Sequence, residues 1–504
     1  MFRMPLPLRI KPVLCGAVYM LVLLAPCSYA GSVAAPGDIA LRHDIQVLAD
    51  YGVVSGPVTT WPLSWDALAA DLQVAVDSDI ILPNAVRRTM QRVIRRASRE
   101  MSLNNMQFHG RASGMAEPMA IRGYSYTPRE EGEASAGLSW RSPRFSVDLN
   151  AAGVTDPADD QELRADGSRL AVDLGNVTVG LSTMDRWWGP GWDGSLILSN
   201  NARPMPAVTL GRNRTHPFET KWLSWLGPWD LEVMMGQMEE EREVPNTLFF
   251  GMRFAFRPIQ SVEIGLSRSA QWCGDDRPCD FDTFWDLFTG RDNVGDAGTT
   301  PENEPGNQLA GFDVRWSNTW FRQPSAFYGQ MIGEDEAGGF PSRYLVQFGF
   351  ETSGFFRNRW SYRWYAELAG TSCDYISDDR FNCAYNHGIY RTGYRYRGRV
   401  VGHGAENDSQ VVSSGLILVS ELDKQWEALV RVGDLNRGGP PDDRNTLTPT
   451  KQEIQSIDLT HRRAIGPNGS YGWLDIGLGY EDINDPVNGE SSSDVRGFVT
   501  WRSR

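Results

Sequence analysis

One segment near the middle of the chain combines aromatic and charged side chains in a pattern that could bind a carbohydrate. It contains Asp185, Arg186, Trp187, Trp188 and Trp192. Tryptophan faces stack on sugar rings, and aspartate and arginine form paired hydrogen bonds with hydroxyl groups. The same cluster is expected where aromatic residues anchor a protein at a membrane interface, or where a loop folds inward at the Gly-Pro-Gly run 189–191. The sequence leaves the binding and the structural interpretations open.

A second candidate is a set of arginines at alternate positions beside two tyrosines. It comprises Arg395, Arg397 and Arg399, with Tyr394 and Tyr396. Alternate side chains of a β-strand point to one face, so we expect these arginines to line one surface, the lumen of a barrel. They could bind carboxylates or phosphates of a ligand. They could equally pair with acidic residues across the lumen, such as Asp313 or Glu367.

Catalytic motifs are missing from the sequence. It has six histidines, no G-x-S-x-G elbow and no H-E-x-x-H pair. His403 lies close to Asp408 and Ser409, but a hydrolase site needs a three-dimensional arrangement that proximity in sequence does not establish. We therefore expect no enzymatic activity, and a hydrolase remains the weaker alternative.

Four cysteines outside the N-terminal segment occur as two local pairs, Cys273 with Cys279 and Cys373 with Cys383. Neither spacing is typical of a zinc site, so no metal site and no cofactor are expected. In an oxidising compartment, cysteines this close in sequence form small-loop disulfides. The surrounding segments are polar and rich in turn residues, which indicates external loops closed by disulfides.

The first thirty residues have the features of a secretory signal peptide. Three basic residues precede an apolar run over residues 13–25, and residues 28–30 form a small-x-small cleavage site. We expect residues 1–30 to be removed on export. The formal charge of the whole chain is −14, and an acidic chain lacks the basic surface of nucleic-acid-binding proteins, so no nucleic-acid partner is expected.

Residues 31–103 contain three amphipathic patterns with the 3.6-residue period of a helix. Three such short helices predict a small periplasmic bundle, or plug, that needs outside support because it buries little core of its own. The third helix has six arginines on the face opposite its apolar stripe. That face could be solvated, or could contact anionic lipid or acidic periplasmic turns.

From residue 104 to residue 504 the period changes to two, which is typical of β-strands. At about ten residues per strand and as many per connection, roughly 400 residues predict about 18 strands. No apolar run after residue 30 approaches the ~18 residues of a membrane-spanning helix. The signal peptide, the aromatic richness and the long alternating run favour a mainly β fold, a large antiparallel transmembrane β-barrel of the outer membrane, over a soluble sandwich.

Four segments stand out in order along the chain. They read GDIALRHDIQVLADYGVVSGPVTTWPLSW (37–65), DRWWGPGWDGSLILSNNARPMP (185–206), GRNRTHPFETKWLSWLGPW (211–229) and RGRVVGHGAENDS (397–409). These segments resemble the recurring blocks of the capsule assembly Wzi family of outer-membrane proteins. The resemblance implies an 18-stranded barrel plugged by the N-terminal helices. It also implies a lectin-like role, holding capsular or related exopolysaccharide at the cell surface.

A porin-like or substrate-specific channel is the main rival function. The two functions differ in the lumen, which a channel leaves open and a plugged barrel occludes. Residues 274–307 have nine acids and two arginines, so this external stretch would repel an acidic glycan unless a divalent cation bridged them. The expected partners are a surface polysaccharide, outer-membrane lipid and divalent cations at the acidic loops. The candidate carbohydrate-binding residues are Asp185, Arg186, Trp187, Trp188, Trp192, Arg395 and Arg397.

Overall fold

The computed structural model describes residues 32–503, apart from residues 79, 290–305, 321, 338–339, 357–358, 374–377, 422–423, 439–443 and 487–488. The expected signal peptide, residues 1–30, lies outside the described residues. No helix in the described part of the chain is long and apolar enough to cross a membrane.

Three helices lie near the N-terminus, as the sequence predicts: α1 (Ile39–Asp50), α2 (Trp65–Asp77) and α3 (Asn84–Glu100). The side chain of Asp38 accepts a hydrogen bond from the Leu41 amide, and that of Ser64 accepts one from the Ala67 amide. These contacts cap α1 and α2, because the first amides of a helix have no partner within it. A fourth helix, α4 (Phe281–Thr289), follows the first cysteine pair.

Eighteen antiparallel strands form a closed barrel, which confirms the predicted fold class. Each strand pairs with the next one along the chain, and the last strand pairs with the first. The strands are β1 (Gln107–Ala116), β2 (Gly132–Arg141), β3 (Phe145–Thr155), β4 (Arg169–Leu174), β5 (Val177–Ser182), β6 (Ala207–Arg212), β7 (Trp229–Gln237), β8 (Leu248–Ile259), β9 (Val262–Trp272), β10 (Gly306–Trp320), β11 (Gln323–Ala337), β12 (Phe340–Phe356), β13 (Trp360–Gly370), β14 (Gln410–Ser420), β15 (Gln425–Leu435), β16 (Gln452–Ala464), β17 (Trp473–Asp485) and β18 (Glu490–Arg502).

The two faces of the barrel wall differ in polarity because successive side chains of a strand point to opposite faces. On β10, Phe312 and Trp316 are exposed on the outside, whereas Asp313 and Arg315 between them are buried in the lumen. An apolar exterior around a charged interior is the reverse of a soluble protein. It is the pattern expected of a wall that contacts lipid.

The two ends of the barrel carry different connections. One end has tight turns, such as residues 175–176 between β4 and β5, where Gly175 has a φ of +70°. The three N-terminal helices lie at this end, where Arg257 donates a hydrogen bond to the Val54 carbonyl at 2.9 Å and Arg88 pairs with Glu421. The opposite end has the long connections. Both predicted disulfides, Cys273–Cys279 and Cys373–Cys383, are confirmed there.

Candidate functional site

Helix α1 lies inside the barrel and is tied to the wall by buried charges. Asp50, its last residue, pairs with Arg315 of β10 at 2.8 Å and with Arg363 of β13 at 3.6 Å. Glu351 of β12 binds both arginines, and His43 of α1 accepts a hydrogen bond from Arg363 at 3.3 Å. Because an unpaired buried charge is strongly destabilising, this network favours the inserted position of α1.

The connection between β5 and β6, residues 183–206, folds inward and packs on α1. Its residues 187–188 pair with residues 60–61 as a two-stranded sheet inside the barrel. Arg42 of α1 donates a hydrogen bond to the Gly191 carbonyl at 2.7 Å. Of the structural alternatives considered for this segment, the folded-in loop is therefore the one observed.

Trp192 is the centre of this inner loop. Its amide and that of Asp193 donate hydrogen bonds to Glu367 of β13, and its indole nitrogen donates one to Glu351 at 2.6 Å. The Arg42 guanidinium lies 4.2 Å from its ring centroid. Its ring also stacks with that of Tyr365, with the centroids 6.1 Å apart, so protein groups cover much of the ring surface that a sugar would need.

The other aromatic and charged candidates lie together in the same loop. Arg186 pairs with Glu232 of β7 at 2.8 Å, and the Trp188 indole donates to the same carboxylate at 3.1 Å. Trp187 donates its indole hydrogen to the Gly191 carbonyl. Arg186 and all three tryptophans are at most 5% exposed, whereas the Asp185 side chain is 33% exposed beside Arg129. Their assignment to carbohydrate stays a prediction.

The expectation that the arginines at 395, 397 and 399 share one face of a barrel strand is wrong. Residues 395–396 and 399–400 form a short hairpin in the long connection between β13 and β14. Its two-residue turn contains Arg397 and Gly398, with φ values of +48° and +74°. A turn with two positive φ values reverses the chain, so strand alternation does not continue through it.

The hairpin arginines have different environments. Arg395 is buried and forms a bidentate pair with Glu406 at 2.8 and 2.6 Å. Arg399 donates to the Ala120 carbonyl at 2.8 Å. Arg397, at the tip, is only partly buried, and its guanidinium lies 5.6 Å from the Tyr396 ring centroid. Arg397 and Arg399 are both partly buried, but the Arg397 guanidinium contacts the neighbouring Tyr396 hydroxyl at 3.4 Å, whereas Arg399 is bound to the carbonyl of another loop.

The hydrolase candidates are not arranged as a catalytic triad. Ser409 Oγ donates to the Ala405 carbonyl at 2.7 Å, not to His403. His403 Nδ1 accepts from the Ala405 amide at 3.2 Å, and Asp408 accepts from the Asn382 amide at 2.8 Å. Burial lowers the pKa of His403 to about 4, so this side chain is a neutral part of the loop core.

A small cavity of about 40 Å³ lies in the lumen between the inner loop and strands β15–β18. Its polar and aromatic lining includes Tyr124, Trp192, Asp193, Tyr365, Glu427, Arg431, Asp458 and Arg496. Most of these charges are paired, for example Arg431 with Asp193 at 2.7 Å.

A small apolar cluster lies at the strand ends next to the long connections. Val411, Leu435 and Ile454 lie at the ends of β14, β15 and β16 and pack with Ile121 and Ala405. The long connections beyond this cluster are the candidate surface for contacts with an external polymer.

Glu334, Cys373 and Cys383 form the one cluster of candidate metal ligands in the described part of the chain. Both sulfurs belong to the disulfide. A disulfide has no thiolate to offer a metal, so this cluster does not define a metal centre.

Sequence reasoning placed Glu367 in the lumen but missed three other residues that close it, Arg315, Glu351 and Arg363. Their signal was present, because each is a charged residue on the polar face of an alternating strand. The strand pattern places them in the lumen but does not identify which charges meet there.

A closed 18-stranded barrel with an apolar exterior and a charged, filled interior defines an outer-membrane β-barrel protein. The family follows from direct comparison: the profile of the capsule assembly protein Wzi family matches residues 106–492. The chain therefore belongs to the capsule assembly protein Wzi family.

Two similar proteins support this assignment. An "uncharacterized 55.8 kDa protein in cps region" of Klebsiella pneumoniae is 35% identical over 322 residues, which are 62% of this chain and 60% of that protein's length. The structure of Wzi from Escherichia coli has a TM-score of 0.80 at 27% identity, over 94% of this chain and 99% of that chain. That protein is described as a carbohydrate-binding β-barrel involved in group 1 capsule assembly.

Proposed function

We propose that this protein is a lectin-like outer-membrane protein that binds capsular or exopolysaccharide and helps attach or assemble it at the cell surface. Membership of the Wzi family and the carbohydrate binding described for the Escherichia coli protein support this function. The observation that carries it is the filled lumen, since α1 and the inner loop occupy the path that a channel would need.

The porin-like alternative is disfavoured by the same contacts. Asp50 links α1 to two strands, and Glu367 links the inner loop to the wall. Opening a pore would break the Asp50 ion pairs and the hydrogen bonds that Glu367 accepts from the inner loop, and each hydrogen bond to a charged group contributes roughly 1.5–3 kcal/mol. We propose that residues 31–103 act as the periplasmic plug of residues 104–504, with residues 1–30 as a cleaved export signal.

The proposed contact surface for glycan is on the long connections, and Arg397 is its best candidate. Its guanidinium is at the hairpin tip beside the Tyr396 ring, a combination that can bind a sugar hydroxyl or a uronic acid carboxylate. Arg395 and the buried residues Arg186, Trp187, Trp188 and Trp192 would act as positioning residues. Asp185, being partly exposed, would be a secondary contact.

The proposal includes no enzymatic step, and two partners remain to be tested. Outer-membrane lipid would surround the apolar wall. Divalent cations would bridge the glycan to carboxylates of the acidic loops. Glycan binding that is unchanged in excess chelator would remove the cation bridge and leave the binding role intact.

The first experiment compares cell-bound with released surface glycan in a deletion strain and its complemented strain. We expect deletion to leave total glycan unchanged and to shift it from the cell into the medium. Unchanged cell-bound glycan together with reduced uptake of a small solute would refute the binding role and support a transport barrel.

A second experiment tests the proposed contact with purified protein and the strain's extracted polysaccharide. Arg397→Ala should weaken binding, because it removes the cation at the hairpin tip. Arg391→Ala is the matched control, since Arg391 is an exposed arginine of the same connection. Equal binding by both variants and the wild type would exclude Arg397 as a contact.

A further inference from the structure

Helix α4 packs on the outer wall of the barrel, not inside it. On β8, Arg253 points into the lumen, where it donates to the hydroxyls of Thr59 and Thr60 at 2.9 and 2.8 Å. Strand alternation therefore places Phe250, three residues away, on the outside. The ring of Phe284 in α4 contacts that of Phe250, with centroids 5.4 Å apart.

The adjoining strand, β9, also contacts α4 through an outward-facing aromatic residue. Gln271 of β9 points into the lumen, where it donates to the Gly393 carbonyl of the long connection between β13 and β14 at 2.9 Å. Its neighbour Trp272 therefore faces outward. The Trp272 ring lies 5.0 Å from that of Phe284. Leu287 of α4 is fully buried in the same cluster. One face of α4 is thus packed against outward-facing residues of two strands.

An outward-facing arginine fixes the C-terminal end of α4. Arg268 lies between Ser267 and Ser269, whose hydroxyls face inward: that of Ser267 accepts a hydrogen bond from Arg253, and that of Ser269 is hydrogen-bonded to the Tyr394 hydroxyl. It donates to the carbonyls of Leu287 and Phe288 at 2.6 and 3.0 Å. The last carbonyls of a helix lack partners and carry partial negative charge. A cation that faces lipid on a barrel costs up to roughly 2–4 kcal/mol. The hydrogen bonds between the Arg268 guanidinium and the two carbonyls therefore stabilise both the cation and the end of the helix.

Two aromatic side chains are exposed beside the packed face of α4, and the exposed Asp282 and Asp286 lie on the face opposite the packed one. Phe281 is 73% exposed and Trp285 is 49% exposed, and their rings stack at 6.3 Å. They continue the apolar belt of the wall, in which Leu266 of β9 and Phe312 of β10 are also exposed. We propose that α4 is embedded in the outer leaflet and that Phe281 and Trp285 contact lipid acyl chains.

This helix would anchor the disulfide-closed loop to the membrane, because α4 begins two residues after Cys279. Burying two aromatic side chains in hydrocarbon is favourable, and aromatic rings are preferred near membrane interfaces. The inference is independent of glycan binding. Either proposal can fail while the other stands.

The test places an environment-sensitive fluorophore on a single new cysteine at position 285, by the substitution Trp285→Cys, in protein reconstituted into phospholipid vesicles. We expect quenching by lipids spin-labelled along the acyl chain to match that of Leu266→Cys, the lipid-facing control. Arg391→Cys, on an exposed loop, should instead be quenched by aqueous iodide. A label at 285 that behaves like the one at 391 would overturn the proposal.

A second variant tests the role of Arg268 without removing the aromatic face. Adding Arg268→Gln to the labelled Trp285→Cys protein should reduce lipid quenching, because the carbonyls at the helix end lose their cation. Unchanged quenching would show that Arg268 does not hold α4 on the wall. A label at 285 protected from both lipid and iodide would also overturn the lipid assignment, since it would indicate a protein partner.

Discussion

The substitution Asp50→Ala should loosen the plug and leave the barrel wall closed. Asp50 belongs to α1, and its carboxylate reaches Arg315 at 2.8 Å and Arg363 at 3.6 Å. Both arginines keep Glu351 as a partner when Asp50 is removed. The substitution therefore removes hydrogen bonds to a charged group, which reduces the free energy that holds α1 in the lumen by roughly 1.5–3 kcal/mol. It does not leave either arginine without a carboxylate partner. At about 1.4 kcal/mol per factor of ten, the open population of the plug should rise roughly ten- to hundredfold.

Conductance in planar lipid bilayers measures this population directly. We expect the wild-type barrel to be closed almost all the time and Asp50→Ala to show brief openings. Asp77→Ala is the matched control, because Asp77 is an exposed aspartate of α2 whose side chain accepts a hydrogen bond from Gln73 of the same helix. Openings equally rare in all three proteins would refute the idea that these ion pairs retain α1. Continuous porin-like conductance in the wild type would refute occlusion itself.

Two further predictions concern stability. Burial, together with the charge of Asp173, raises the pKa of Asp66 from 3.8 to about 7. The folded state therefore binds the proton more tightly than the unfolded state. The free energy of unfolding should then fall by up to about 4 kcal/mol as pH rises from about 4 to about 7. Urea unfolding across this range should show the loss in the wild type and little of it in Asp66→Asn. Replacing Cys373 and Cys383 by serine should cost about 3 kcal/mol from the lost loop constraint; thermal unfolding that is unaffected would contradict it.

The sequence predicted the wall of this protein better than its interior. Alternation over residues such as Phe312 to Trp316 has a single cause, the different solvents on the two faces. That cause acts on each strand separately, so strand number and closure could be estimated without knowing any long-range contact. The local cysteine pairs were predictable for the same reason, since each involves only six or ten residues of separation.

The site could be predicted only in part, because its contacts are distant in sequence. Trp192 meets Glu351 and Glu367 across more than 150 residues, and no local pattern specifies that meeting. The prediction that the three arginines share one strand face was wrong for a different reason. Alternation at 395, 397 and 399 is compatible with one long strand, but Gly398 adopts positive φ at little cost and marks a turn between them.

The filled lumen also gives the outer loops a support that an open barrel would lack. The Tyr385 hydroxyl donates to the Leu196 carbonyl at 2.7 Å, and the Tyr394 hydroxyl donates to that of Ile197 at 2.8 Å. The long connection that has Arg397 at its hairpin tip therefore rests on the inner loop, which Arg42 in turn ties to α1. Because binding costs less when a surface is already ordered, a rigid support under the hairpin favours glycan binding. Loosening α1 should then weaken glycan binding at the opposite end of the barrel as well as increase conductance, which links the plug to the binding function.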